Sequence, residues 1–171
     1  MRRSFVLAFL ALGSLFGASG LAAASGAHGN HDTYTWIVGA TTPSDTAIAP
    51  NGSTITMAGS GTMTAGPSNT ASCTGTCTYS LSSGGSGTWT VTGIQGFVSY
   101  GSGAAQGLPP TFTGGEAKLD ITLDNGASGV LTIYCVLGKP PGGKEEGIAV
   151  ILGKDGQFTK QDGGNTLFIL S

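Results

Sequence analysis

Two histidines stand close together near the start of the chain, within SGAHGNHDTY at 25–34. Cleavage of a leader after Ala27 would make His28 the first residue, and its α-amino group and imidazole could then bind copper. A rigid copper site of this kind also needs a second imidazole that the folded scaffold holds opposite the first. His31 follows only three residues later. We therefore interpret His28 and His31 as part of a loose, solvated N-terminal segment and retain them only as a candidate metal pair.

Catalysis by the common nucleophilic routes lacks a well-placed general base in this sequence. The chain contains two histidines, so a Ser-His-Asp or Cys-His site would have to use one of these N-terminal residues. Glu116 and Asp120 share one side of a predicted strand and could face a ligand or a calcium ion. No acidic loop with calcium-ligand spacing accompanies them. We interpret Glu116 and Asp120 as solvated groups and candidate binding residues, place Glu145 and Glu146 at a solvated loop tip, and predict no catalytic residue or cofactor.

The aromatic residues supply a further functional hint, because exposed aromatic rings stack on sugars in many binding modules. Trp89 shares one face of its predicted strand with Val91, opposite a row of threonines. This pattern predicts that Trp89 lies in the core. Tyr100 stands next to the GSGAAQGLPP segment (101–110), and we therefore take it as the candidate for a loop-borne contact with a ligand.

The three cysteines leave one thiol unpaired if a single disulfide forms. Cys73 and Cys77 flank a turn-like TGT stretch, and their proximity favours a local bond. A bond from Cys135 to either of them would close a loop of about sixty residues. The lost chain entropy of the unfolded state would then stabilise the fold by roughly 4 kcal/mol. We favour Cys73–Cys77, with Cys135 as a buried thiol that packs like a small apolar residue.

Short runs of alternating polarity separated by Gly, Pro and Asn clusters predict an all-β domain. STITMAGSGTMTA (53–65) alternates apolar residues with threonine, and its central glycines indicate a bend. AKLDITLD (117–124) and SGVLTIYCVLG (128–138) flank Asn-Gly and predict a hairpin. The other predicted strands are TYTWIV (33–38), CTYSLSS (77–83), GTWTVTG (87–93), GFVSYG (96–101), IAVILG (148–153), QFTK (157–160) and NTLFIL (165–170). We therefore predict a two-sheet antiparallel β-sandwich of about eight or nine strands.

The N-terminus has the three parts of a signal peptide: a positively charged start, an apolar run from Phe5 to Phe16 and a small-residue segment. We assign residues 1–27 to the signal peptide, with cleavage after Ala24 as an alternative, and residues 28–171 to one secreted domain. No later segment approaches the roughly 20 apolar residues of a membrane span, so we expect no transmembrane anchor.

The exported part carries five lysines, no arginine and nine acidic residues. A nucleic-acid partner would require a basic surface that neutralises phosphates, and this composition excludes one. No charged side chain occurs between Asp45 and Glu116. Long uncharged strands lack the lysines that protect sheet edges, so we expect this region to form an edge that can pair with another chain.

The sequence favours a secreted, non-catalytic binding module whose partner is an extracellular polysaccharide, a cell-wall polymer or a protein. The neutral Thr, Ser and Gly-rich surface and the missing catalytic set both agree with this class. A self-associating structural surface protein is the alternative, because of the uncharged strands. A copper-dependent or carboxylate-dependent extracellular enzyme is the third hypothesis, and it depends on His28 and His31 or on Glu116 and Asp120.

Overall fold

The computed structural model of the protein describes residues 31–153 and 156–171, and these form an antiparallel all-β domain. This confirms the expected fold class. The strands are β1 (Asp32–Val38), β2 (Asp45–Ile48), β3 (Thr54–Ala65), β4 (Thr70–Cys73), β5 (Thr78–Leu81), β6 (Ser86–Ser102), β7 (Phe112–Leu123), β8 (Ser128–Cys135), β9 (Gly147–Ile151), β10 (Gln157–Phe158), β11 (Lys160–Gln161) and β12 (Thr166–Leu170). These twelve strands exceed the eight or nine expected, and β2, β4, β10 and β11 are only two to four residues long.

Hydrogen bonds join the twelve strands into one continuous sheet, so the two separate sheets of a sandwich are not confirmed. The long strand β3 connects the two sides because it changes partners at its central glycines. Residues up to Ala58 pair with β2 and β5, whereas residues from Gly59 onward pair with β1 and β4. The strands β1, β3, β5, β6, β7 and β12 thereby close a ring of neighbours around the core.

Strand β7 changes partners along one of its edges, and this creates a branch in the sheet. Its other edge pairs with β6 along nearly its full length. On the branching edge, Phe112 and Thr113 pair with β12, and pairing with β8 begins at Gly115. Between them lies Gly114, where a Cβ would collide with the carbonyl group of Leu137. Glycine at this position allows β8 and β12 to diverge from a single edge.

The region from 87 to 101 forms one strand instead of two. Strand β6 has 17 residues, and its register against β7 shifts between Val91 and Gly93, between Ile94 and Gly96, and between Ser99 and Gly101. Each shift is a β-bulge, which inserts an extra residue and increases the local twist. The GTWTVTG and GFVSYG segments are therefore continuous, with bulges where the sequence suggested a break.

The core contains aromatic side chains from both sides of the ring. The rings of Trp36 and Trp89 stack with their centroids 5.7 Å apart, and Phe97 packs between Tyr34 and Phe168. Trp89 is buried, which confirms its predicted place in the core. Opposed aromatic rings of this kind bury large apolar areas and stabilise the contact between the two sides.

The predicted hairpin at Asn125-Gly126 is present between β7 and β8. The alternation along β7 buries Leu119, Ile121 and Leu123, while the residues between them face outward. At the turn, the Leu123 N–H donates to the Ala127 carbonyl, and Gly126 has a φ of 89°. The extra residue lengthens the loop as the sequence indicated.

Several predictions concern residues outside the described part of the chain. The signal peptide assigned to residues 1–27 and the candidate ligand His28 both lie there. Within residues 31–153 and 156–171, the structure contains no helix with the length and apolarity that a membrane crossing requires.

Candidate functional site

An apolar groove with a volume of about 690 Å³ opens where β8 and β12 diverge from the edge of β7. Strands β1 and β12 form one wall of the groove, and the segment after β8 forms the other wall. Leu108 and Phe112, near the start of β7, cover one end. The apolar lining side chains are Ile37, Ala40, Leu108, Phe112, Val136, Leu137, Leu167 and Ile169. The remaining lining residues are Thr41, Cys135, Glu146, Asn165 and Thr166.

Strand β12 forms a wall of the groove because it is apolar on both faces. Phe168 points into the core and is fully buried, whereas Leu167 and Ile169 lie on the groove side and are half-buried. The sequence interpretation treated NTLFIL as a buried strand. The structure agrees for the core face, but the other face lines the groove.

The Glu146 carboxylate bridges the diverging strands at the floor of the groove. One oxygen accepts a hydrogen bond of 2.7 Å from the Val136 N–H, just after β8. The other accepts a bond of 2.8 Å from the Thr166 N–H, at the start of β12, and lies 2.7 Å from the Thr166 hydroxyl. The prediction that Glu146 sits at a solvated tip is therefore wrong, because it satisfies backbone donors that have no strand partner. Glu145 is exposed, as expected.

A second carboxylate holds the neighbouring residue at the same corner of the fold. Asp45 is completely buried, and its Oδ1 accepts a hydrogen bond of 2.6 Å from the Asn165 N–H. Its Oδ2 has no hydrogen-bond partner among the described residues. Burial raises the pKa of Asp45 to about 6, the N–H groups of Asn165 and Gly39 oppose this change, and the Glu146 carboxylate adds to it.

Cys135 is a free, buried thiol on the floor of the groove, as the sequence predicted. Burial and the negative charge of Glu146 raise its pKa to about 11. A thiolate is the reactive form of cysteine, so this environment makes Cys135 a poor nucleophile at neutral pH. The predicted disulfide between Cys73 and Cys77 is present and links the end of β4 to the residue before β5.

The structure brings together Tyr100 and Glu116, two of the three candidate binding residues. The Tyr100 hydroxyl lies 3.3 Å from Oε2 of Glu116, and the same oxygen accepts a bond of 2.7 Å from Lys144 Nζ. Burial alone would raise the pKa of Glu116, but the ammonium groups of Lys144 and Lys118 hold it below its ordinary value. Asp120 lies two outward positions further along β7 and accepts a bond of 2.8 Å from Gln95.

Tyr100 is not the exposed contact that its place beside a loop suggested. Only 8% of the residue is exposed. The segment after β8 lies against it, because the Lys139 N–H donates to the Tyr100 carbonyl at 2.7 Å. Burial and the Glu116 carboxylate raise the pKa of the tyrosine. The Tyr100 backbone therefore helps to hold this segment against the sheet. The ring of Tyr100 offers little exposed surface for stacking on a sugar.

Only one member of the candidate metal pair lies in the described part of the chain, because His28 precedes it. His31 is exposed just before β1. Residues 31–153 and 156–171 contain no group of three or more His, Cys, Asp or Glu side chains placed to hold a metal ion.

The groove residues were missing from the sequence-based candidates, although part of their signal was visible. Apolar side chains on both faces of β12 indicate either a strand that is buried on both faces or a strand with one face at a binding site. The role of Glu146 had no local signal, because its backbone partners lie ten and twenty residues away. No protein-family model, curated protein or solved structure matches this chain.

Proposed function

We propose that the protein is a secreted, non-catalytic binding protein and that its binding site is the groove between β8 and β12. The observation that carries this proposal is the groove itself, about 690 Å³ in volume and lined mainly by half-buried aliphatic side chains. Ligand sites in proteins commonly have this size, this apolar lining and few polar groups. A ligand that covers these side chains removes apolar surface from water, which supplies the binding free energy.

The polar groups of the groove support binding more than turnover. Glu146 uses its carboxylate to hold the N–H groups of Val136 and Thr166. Cys135 stays protonated at neutral pH, since its pKa is raised to about 11. A nucleophile needs activation, which the raised pKa denies to Cys135, and Glu146 uses most of its hydrogen-bonding capacity on the two backbone N–H groups. These two residues instead maintain the shape of the groove.

Among the extracellular partners considered from the sequence, the groove favours one that presents hydrocarbon. Polysaccharide binding depends on exposed aromatic faces and on polar groups with unused hydrogen-bonding capacity. The covered ring of Tyr100 weakens the case for a sugar platform. A lipid-like cell-wall component or an apolar partner segment therefore suits this protein better than a hydrophilic glycan.

Binding of an uncharged apolar fluorescent probe tests the proposal. Replacing Ile169 by threonine keeps a β-branched strand residue but removes aliphatic surface from the groove. We expect the Ile169→Thr variant to bind the probe about fivefold more weakly, which corresponds to about 1 kcal/mol of lost apolar burial. Fluorescence titration with the folded, purified protein measures this difference.

Val98→Thr is the matched control for that experiment. Val98 also lies on a strand and is 61% exposed, but it is not part of the groove. Both variants replace a β-branched aliphatic residue on a strand by threonine, so a general change in surface hydrophobicity would affect both. Equal affinity of the probe for both variants and the unchanged protein would contradict the groove as the binding site.

Self-association is the second candidate function, and strand β6 is the observation that favours it. From Thr90 onward, one edge of β6 has no hydrogen-bonded strand among the described residues. This stretch carries no charged side chain. Its three bulges oppose regular pairing with a second copy, because they distort the edge. Light scattering over a concentration series tests this function, and a strict monomer at high concentration would contradict it.

Export itself is tested at the N-terminus of the mature protein. We expect the secreted form to begin at His28, or at Ser25 if cleavage follows Ala24. Intact-mass measurement of the secreted protein distinguishes these sites. A mass that includes the full leader would contradict the signal-peptide assignment.

A further inference from the structure

Of the described residues that line the groove, one is charged, and it is Glu146. Its carboxylate accepts hydrogen bonds from two backbone N–H groups and lies within bonding distance of the Thr166 hydroxyl. A carboxylate offers about four lone-pair positions, so one remains open to a further donor. The groove therefore combines a hydrocarbon lining with an unused negative acceptor.

No lysine neutralises this carboxylate within the described part of the chain. The ion pairs there join Glu116 to Lys118 and Lys144, with nitrogen to oxygen distances of 3.5 and 2.7 Å. Lys144 lies only two residues from Glu146 in the sequence, yet its ammonium group binds Glu116. Among the described residues, Glu146 thus has no cationic partner where it lines the groove.

The negative charge of Glu146 acts on its surroundings in the expected direction. It contributes to the raised pKa of Cys135 on the groove floor and to that of buried Asp45. Charges interact more strongly beside apolar surface than in bulk water, because the local dielectric constant is lower. A bound cation would gain from this field, and a bound anion would be repelled.

We propose that the ligand of the groove is an amphiphile with one hydrocarbon chain and a cationic head, the chain lying against Leu167 and Ile169 and the head beside Glu146. This inference rests on the proposed binding function and specifies the chemistry of its ligand. The wall of β12 supplies the apolar surface, and the bridge between the strands supplies the charge. Complementary charge on the floor of an apolar site selects among ligands that share the same chain.

Three ten-carbon ligands provide the test: decylammonium, whose N–H groups can donate to Glu146, decanol and decanoate. Each displaces the uncharged fluorescent probe from the full protein at pH 8, below its micelle concentration. We expect the cation to bind about tenfold more tightly than decanol, and decanoate to bind most weakly. Equal affinities for the three, or tightest binding of decanoate, would overturn the inference.

A positive charge added at the rim of the groove separates electrostatic selection from chain binding. Thr41 is exposed and lines the groove, so Thr41→Lys adds a positive charge near the ligand head. The exposed neighbour Thr42 does not line the groove, so Thr42→Lys is the control with the same net charge. We expect Thr41→Lys to remove most of the preference for the cation, and Thr42→Lys to retain it.

The outcomes distinguish this inference from the proposed function. If none of the three ligands displaces the probe, or if Ile169→Thr changes nothing, the groove is not the binding site and both proposals fail. If all three bind and Ile169→Thr weakens them equally, but no preference for the cation appears, only the charge inference fails. Preserved preference in Thr41→Lys would likewise show that Glu146 does not select the ligand.

Discussion

Replacing Asp45 by asparagine should remove a pH-dependent part of the folding stability. Asp45 is completely buried beside the start of β12, and one of its oxygens has no partner among the described residues. An ionised carboxylate in this position loses hydration that the N–H groups of Asn165 and Gly39 do not fully replace. The folded protein therefore favours the protonated form, and asparagine mimics its charge and shape at every pH.

The direction of the effect follows from the pKa of Asp45, which burial raises from 3.8 to about 6 in the folded protein. Between these values the folded state binds the proton more tightly than the unfolded state does. This contribution to stability is therefore fully present below about pH 4 and disappears as the pH rises through about 6. The difference between the two pKa values corresponds to about 3 kcal/mol.

Urea unfolding followed by tryptophan fluorescence measures this contribution. We expect the free energy of unfolding of Asp45→Asn, relative to the unchanged protein, to increase by about 3 kcal/mol between pH 3.5 and 7.5. Other titrating groups act equally in both proteins, so the difference isolates Asp45. Asp120→Asn is the control, because it removes one charge from the outer face of the sheet. Its free energy of unfolding should differ from that of the unchanged protein by less than about 0.5 kcal/mol. Parallel pH profiles for Asp45→Asn and the unchanged protein would refute the reasoning.

Three further predictions concern the disulfide, the carboxylate bridge and the buried thiol. Replacing Cys73 and Cys77 by alanine should cost about 2 kcal/mol of unfolding free energy, because the bond closes a short loop; unchanged urea midpoints would contradict this. Glu146→Gln should lower the unfolding free energy by about 2 to 3 kcal/mol, because the amide nitrogen that replaces one carboxylate oxygen cannot accept a hydrogen bond from the N–H of Val136 or Thr166. The exposed Glu145→Gln should change the unfolding free energy by less than about 0.5 kcal/mol. Equal urea unfolding curves for the two variants would contradict the bridging role of Glu146. Cys135 should react with a thiol reagent at pH 8 more than about a hundredfold faster in urea than when folded, because burial raises its pKa to about 11; rapid labelling of the folded protein would contradict its burial.

The sequence predicts features that depend on local alternation. Leu119, Ile121 and Leu123 repeat every second residue, so a strand with one buried face was expected and is present. Trp89 follows the same rule. The short strands β2 and β4 escaped prediction because four residues are too few for a clear period.

The errors concern residues whose environment is set by distant segments. Tyr100 borders a Gly and Pro-rich loop, and this neighbourhood favours exposure. The segment that lies against it comes from about forty residues away, where the Lys139 N–H bonds the Tyr100 carbonyl and Lys144 bonds Glu116, the partner of the Tyr100 hydroxyl. The position of Glu146 follows in the same way from Val136 and Thr166. Such contacts become visible only once the order of strands along β7 is known.

That strand order also explains why the groove and its charge occur together. When β8 and β12 leave the edge of β7 in different directions, backbone donors on each strand lose the carbonyl partners of a regular ladder. Buried N–H groups require an acceptor, and one carboxylate can serve two strands that are too far apart to pair. The same divergence opens the space between the strands. A branch in this sheet thus produces an apolar groove with a negative floor, so a substitution that closes the branch would remove both properties at once.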